Sequence, residues 1–264
     1  MSECTKAALE QRVTELVNTS DGNGMTVFGG MRMYDVPIFG YASAQDPLFD
    51  EFLKPEVVGS GFIKPEEWLE GAKTVISYFL PFTKEVRDTN RAAGLPSEEW
   101  VTARVDGEVF NNEVRAFLSA QLALFGEKAV APALDARFAV IKRVANWSER
   151  HVAYAAGLGT FGLHRALITA KGTAGRIGSV VTTLALSPTP RPYSRYDEYC
   201  LFQSRGTCGA CMRRCPPRAI SKSGKDHDLC DGYIKRSILP LWAPRYGCAK
   251  CNIGVPCEYE NPMA

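Results

Sequence analysis

Several features that would classify a chain of 264 residues at once are missing from this one. No apolar run is long enough to cross a bilayer: the longest, 74–82 and 179–186, fall well short of the ~20 residues a spanning helix needs. Charge of one sign is not in excess; the net charge is +2, and no block of like charges forms a nucleic-acid-binding arm. The N-terminal Met-Ser-Glu-Cys stretch carries an acid and leads into no apolar run, so neither a signal nor a transit peptide is expected. Internal repeats and low-complexity tracts are absent. No glycine-rich run is followed by the Lys-Ser/Thr pair of a phosphate loop, and no dinucleotide fingerprint is present. These absences predict a cytoplasmic protein with no membrane partner, in which cysteines stay reduced. Hydrophobic residues at 45% and charged residues at 23% are ordinary for a globular protein.

Cysteine is missing from 5–199 and then abundant. Eight of the nine cysteines fall between 200 and 257. The earlier part mixes strand and helix patterns without regular alternation, which predicts an α+β fold. Leu9, Val13, Leu16 and Val17 mark one face of a helix over 5–18. Short strands are expected at 25–30 and 36–41, and a buried strand at 74–80 after a helix start at Pro65. A long helix is expected over 98–125, with a break at Gly107, and a strand at 138–144. Ser148 caps a helix that ends at Gly157. Two apolar segments follow, 166–170 and 177–186. The proline-rich stretch 187–192 reads as a stiff linker, dividing the chain into residues 1–190 and 191–264.

The second part carries Cys208-Gly-Ala-Cys211-Met-Arg-Arg-Cys215-Pro216, most of the bacterial ferredoxin run. In two-cluster proteins the cysteine before proline serves the other cluster. Cys230 follows, then Cys248-Ala-Lys-Cys251 and Cys257. The run's usual first cysteine would stand at Arg205; Cys200 is the natural substitute. That gives eight thiolates for two [4Fe-4S] clusters and leaves Cys4 as a free thiol. Zinc would use two C-x2-C pairs, but the pairs here are far apart and half the cysteines would be left over. Disulfides are disfavoured by the reducing compartment.

In order, Glu149-Arg150, Ala156-Gly-Leu-Gly159, Gly162-Leu-His164, Gly178-Ser179, Cys208 to Ile220, Asp228-Leu-Cys230 and Tyr246-Gly-Cys248-Ala-Lys-Cys251 resemble epoxyqueuosine reductase, a relative of the corrinoid-dependent reductive dehalogenases. The resemblance covers roughly 60–257. It implies a nitroreductase-like N-terminal domain holding a cobalamin and a C-terminal two-cluster ferredoxin-like module. It implies that Cys200, Cys208, Cys211 and Cys257 hold one cluster, and Cys215, Cys230, Cys248 and Cys251 the other. Electrons from an external low-potential donor would cross both clusters to cobalt. The family's catalytic aspartate falls at Arg143 here, a permanent cation in place of an acid. The tRNA-modifying reaction is therefore not expected, nor is a nucleic-acid partner, since the tRNA-binding extension is also missing.

Gly157, Gly159, Gly162 and Gly178, in a stretch that also holds Gly172 and Gly175, offer close backbone approach to a corrinoid or simply tight turns. His164 stands where the resemblance implies a neighbour of the corrinoid; a hydrogen-bonded turn histidine is the plainer reading. Arg143 suits an anionic substrate, a cofactor side group or a surface salt bridge. Tyr154 is a weaker candidate proton donor, while His151 and His227 read as structural or solvated. Two functions result: an iron–sulfur oxidoreductase acting through a bound corrinoid, or an electron-transfer protein that reduces a partner's corrinoid or metal centre.

Overall fold

The computed structural model describes residues 5–264; Cys4 lies outside the described residues. Helices and strands are mixed, as expected. At the centre is a four-stranded antiparallel sheet made of β1 (Ile38–Ser43), β2 (Thr74–Pro81), β3 (Ala129–Val130) and β4 (Gly175–Thr182), in the order β1-β2-β4-β3. Every residue of β2 is buried, because both faces of the sheet are covered. Strand alternation sends Ile76, Tyr78 and Leu80 into one hydrophobic cluster with helices α1 (Lys6–Thr19) and α2 (Glu98–Leu124). Val75 joins a second cluster with Trp147 and helix α3 (Glu149–Ala155). A strand covered on both sides has no polar face, which is why 74–82 reads as one apolar run.

α1 buries Leu9, Val13 and Val17, each worth about 1.5–3 kcal/mol on transfer from water. Its first turn is closed by the Thr5 hydroxyl, which accepts from the Ala8 N–H at 3.2 Å. α2 starts on the Ser97 hydroxyl, which accepts from Trp100 N at 3.1 Å, with Glu98 and Glu99 in the first turn. It runs through Gly107 without the expected break. A Cβ at Gly107 would stand 2.3 Å from the Tyr34 hydroxyl, so this glycine admits a neighbour and does not end the helix.

Three strand expectations change. The segment 25–30 supplies only Gly24–Met25, paired with Met31–Arg32, because a tight turn at Thr26–Phe28 and two left-handed glycines intervene. The strand expected at 36–41 sits two residues later. The strand expected at 138–144 folds on itself: Val140–Ile141 pairs with Val144–Ala145, and Lys142 and Arg143 both take positive φ, 49° and 70°. Two such residues are what a two-residue hairpin requires.

After β4 the chain forms short helices α4 (Leu201–Arg205), α5 (Ala210–Arg214) and α6 (His227–Tyr233). This part is fastened to the first. Ile238 and Ile253 belong to the α1–α2 core cluster. Buried Lys250 donates to the carbonyls of Asn90 and Ala92 at 2.9 and 2.8 Å. No described helix is long and apolar enough to cross a membrane.

Candidate functional site

The eight cysteines at 200–257 are unbridged and fall into two sets. Cys200, Cys208, Cys211 and Cys257 line one cavity, together with His164, Val255 and Pro256. Burial pushes the Cys211 thiol up to about 11, and the neighbouring Cys200 and Cys208 add to it. Cys257 is raised by burial and then by Cys211, Cys200 and Cys208. The thiols of the other set are raised in the same way. Cys251 is pushed up to about 12 by burial, with Cys248, Cys215 and Cys230 adding to it. Cys248 is pushed up to about 11 by burial, with Cys230 and Cys215 contributing.

Local backbone aims N–H groups at these sulfurs. The Ala219 N–H donates to Cys215 Sγ at 3.2 Å and the Ala210 N–H to Cys208 Sγ at 3.5 Å. Cys208 takes φ 87° and Gly209 φ 70°, the left-handed geometry that starts α5. Among the described residues, no three His, Cys, Asp or Glu side chains converge on a point suited to a single metal ion.

His164 sits in the turn of a hairpin, Gly159–Phe161 paired with Leu167–Thr169. Its Nδ1 accepts from the Ala166 N–H at 3.1 Å, and Nε2 lies 3.4 Å from Cys257 Sγ. An accepting Nδ1 leaves the proton on Nε2, directed at sulfur. Burial pushes the imidazole down to about 3, so it is neutral. His164 thus faces the first cysteine set.

A second, larger cavity of about 670 Å3 lies between the two parts of the chain. It forms where the sheet is incomplete. β3 pairs only with Val181 and Thr182, so residues 175–179 of β4 have no partner strand on that side. α2 supplies the missing donors. Asn111 Nδ2 and Arg115 Nη2 donate to the Ile177 carbonyl at 3.1 and 3.2 Å. Arg104, Glu108, Asn111 and Arg115 recur at i, i+4, i+7 and i+11 and form one polar stripe on α2. Arg104, Glu108 and Arg115 line the cavity with Arg176 from β4 and Glu149 and Arg150 from α3. Phe79, Phe138, Leu167 and Ile177 provide apolar wall. Tyr246 and Asn252 close it from the C-terminal part, two residues before Cys248 and one after Cys251.

Glu149 is held at the cavity wall from two sides. Ser179 Oγ donates to Oε2 at 2.6 Å and Arg115 Nη2 to Oε1 at 3.1 Å, and Trp147 Nε1 donates to Ser179 Oγ at 2.9 Å. Burial raises its pKa, with Arg115 opposing.

Of the glycine-rich stretch, Gly175 lines the larger cavity. None of Arg143, Gly157, Gly159, Gly162, His164 and Gly178 lines the larger cavity. A Cβ at Gly178 would stand 2.2 Å from the Tyr78 hydroxyl, and one at Gly159 would stand 1.9 Å from the Ile168 carbonyl. Gly162 lies under the His164 ring, and Gly157 beside Thr189. These glycines admit protein neighbours. Arg143 is exposed in its hairpin turn, where Nη2 meets Asp228 Oδ1 at 2.5 Å, the surface salt bridge considered above. Tyr154 lies outside the lining of the larger cavity, and its carbonyl accepts from the Tyr193 hydroxyl at 2.6 Å. The cavity arginines and Glu108 escape sequence reading, although the α2 stripe was a usable signal.

No family model matches the chain, and no curated protein matches it. Solved structures do. The epoxyqueuosine reductase of Streptococcus thermophilus superposes with a TM-score of 0.53 at 15% identity, covering 97% of this chain and 66% of that one. The chain shares this fold. It is also that of the catabolic reductive dehalogenase NpRdhA, with a TM-score of 0.57 at 15% identity over 85% of this chain and 30% of that one. A further reductive dehalogenase, whose structure suggests a mechanism for B12-dependent dehalogenation, gives 0.51 at 14% identity over 74% and 26%. The chain thus spans about two thirds of the reductase and under a third of these dehalogenases. The neighbours are reductases; at such identities the likeness carries the fold alone.

Proposed function

We propose that the protein is an iron–sulfur oxidoreductase that passes low-potential electrons through two [4Fe-4S] clusters to a corrinoid in the larger cavity, reducing a small substrate. The observation that carries this reading is the division of eight thiols into two sets of four, one flanking the cavity through Tyr246 and Asn252. Cys200, Cys208, Cys211 and Cys257 line one cavity, and eight thiols in two fours match the ligand count of two four-iron cubanes, where one zinc site would use only four. N–H···S bonds from Ala210 and Ala219 are the kind that tune cluster potential. Exposed Cys208 makes its set the entry side, facing an external donor. The set of Cys215, Cys230, Cys248 and Cys251 would then be the inner one. On this reading the chain combines a nitroreductase-like first domain, residues 1–190, with a ferredoxin-like module, residues 191–264, and works in the cytoplasm.

The cavity's lining fits a large polar–apolar ligand. Its volume lies within the ~300–1,000 Å3 range of small-molecule sites. Thr173 Oγ1 and Arg115 Nε are buried at its wall without a protein partner. A corrinoid, when bound, would supply the electron-rich metal that reduces an electrophile. Phe79, Phe138 and Ile177 would bind its apolar face and exclude water, and Tyr246 and Arg104 would close the mouth. Glu108 and Glu149 are the carboxyl groups available to hold or pass a proton there.

The test is anaerobic purification with iron and sulfide analysis, then spectroscopic titration with cobalamin. About eight irons per chain and saturable cobalamin bands are expected. About one zinc and no iron would remove the clusters from the account; iron without cobalamin binding would remove the corrinoid. A second reading, electron transfer to a partner's corrinoid or metal centre, is favoured by Arg143, which stands where the resemblance places an acid and is engaged with Asp228. Substrate turnover by the isolated chain separates the two.

A further inference from the structure

Six charged side chains line the larger cavity, four arginines and two glutamates. Arg115 takes both acids, with Glu108 Oε1 at 2.7 Å and Glu149 Oε1 at 3.1 Å. Arg176 Nε lies 3.4 Å from Glu108 Oε2. Arg104 and Arg150 remain, and neither forms an ion pair with a described residue. Arg104 lies over the Tyr246 ring, 4.4 Å from its centroid, and donates to the Tyr246 carbonyl at 3.5 Å. Arg150 donates to the Arg165 carbonyl. Carbonyl oxygens accept hydrogen bonds but do not neutralise a cation. Burial, and then the adjacent Arg176, work against the Arg104 charge, while Tyr246 and Glu108 partly offset them.

Arg104 is half-buried and Arg150 exposed, so neither charge is stranded away from water; the four arginines and two glutamates nevertheless give the lining a net charge of +2, which favours a negatively charged ligand. The remaining wall is apolar and aromatic. We infer that this cavity binds an organic anion, its carboxylate or phosphate oxygens paired with Arg104 and Arg150 and its apolar body against Phe79, Phe138 and Ile177. Guanidinium groups suit this task because their planar donors match the two oxygens of a carboxylate or phosphate. For the anion's role as substrate, the inference rests on the reading of this cavity as the redox site. The same anionic chemistry has a second source, the phosphate in the nucleotide tail of a cobalamin.

The test uses the full chain, purified anaerobically with its iron. Benzoate and phenyl phosphate are the anionic probes, benzamide is the neutral isostere, and cobinamide is the corrin ring lacking the nucleotide phosphate. Calorimetric binding of benzoate or phenyl phosphate is expected, weakened about tenfold or more by Arg104→Gln and by Arg150→Gln, with benzamide unaffected. That result assigns a free acidic substrate. If only cobalamin binds, and the variants lower its affinity to that of cobinamide, the anion is the cofactor's own phosphate. Equal affinity of the variants and wild type for every anionic probe would overturn the inference. Should the variants misfold, phenylglyoxal labelling of wild type with peptide mapping decides. Anions should protect Arg104 and Arg150 where benzamide does not, and anion-indifferent labelling would also overturn it. Missing iron would sink the redox reading alone; labelling or affinity indifferent to anions in iron-replete protein would sink this inference alone.

Discussion

Replacing Glu258 by glutamine should cost this protein far more than replacing a glutamate in an exposed pair. The Glu258 side chain is 2% exposed. Its Oε1 takes Arg87 Nη1 and Arg91 Nη2, both at 2.8 Å, and its Oε2 takes the Gly254 N–H at 2.7 Å. Arg87 is itself 11% exposed, whereas Arg91 is 44% exposed and partly served by Asp88. Removing one partner of a buried ion pair costs about 3–5 kcal/mol. Arg91 can still reach water, and glutamine keeps one acceptor, so the lower end, about 3 kcal/mol, applies. For a chain of this size each kcal/mol moves the midpoint by about 2–4 °C, which gives a fall of about 6–12 °C. Glu51→Gln is the control. Its pair with Lys54 is about half exposed at both ends and is worth about 0–1 kcal/mol. Both variants would be melted anaerobically at one scan rate, and iron would be counted after gel filtration. Because Glu258 adjoins Cys257, the variant should also lose iron from the cluster proposed at the first cysteine set. If the two variants melt within a degree of each other, the stated strength of the Glu258 network is wrong.

On the proposed partition, Cys215→Ser should remove the cluster assigned to Cys215, Cys230, Cys248 and Cys251 and leave the other; electron paramagnetic resonance retaining two interacting spins would contradict the partition. Gly107→Ala should destabilise by about 1–3 kcal/mol despite alanine's better helix propensity, since its Cβ meets the Tyr34 hydroxyl; a urea midpoint above wild type would show the contact to be yielding. Arg143→Gly should change stability by less than about 1 kcal/mol, because relief of a positive φ offsets loss of an exposed pair with Asp228. A drop of several degrees on melting would give Arg143 a structural role that its exposed turn does not show.

Periodicity made the scaffold legible in the sequence. Leu9, Val13 and Val17 on α1 and the buried run of β2 are local patterns, and local patterns report local structure. The hairpin at 140–145 was not legible, because its turn residues are Lys142 and Arg143 in place of the usual asparagine and glycine. The grouping of the cysteines was suggested by the resemblance, and the structure places Cys200 and Cys257 around one cavity. The larger cavity was the least legible feature. Arg104, Arg176 and Tyr246 come from three distant segments, and only folding brings them together. Gly178 and Gly159 abut Tyr78 and Ile168, contacts that no one-dimensional pattern records.

The stretch 187–192 read as a spacer, yet it is bound. The Thr189 N–H donates to the Tyr41 carbonyl at 2.8 Å, and its hydroxyl accepts from the Tyr41 N–H at 3.0 Å. β1 is a border strand of the sheet, so this contact occupies an edge on which another chain could otherwise build. Pro188, Pro190 and Pro192 have no N–H to offer, so the strip that covers the edge cannot extend the sheet. The stretch 187–192 thus acts as a selvedge, finishing the sheet against unravelling and against being sewn to a neighbour.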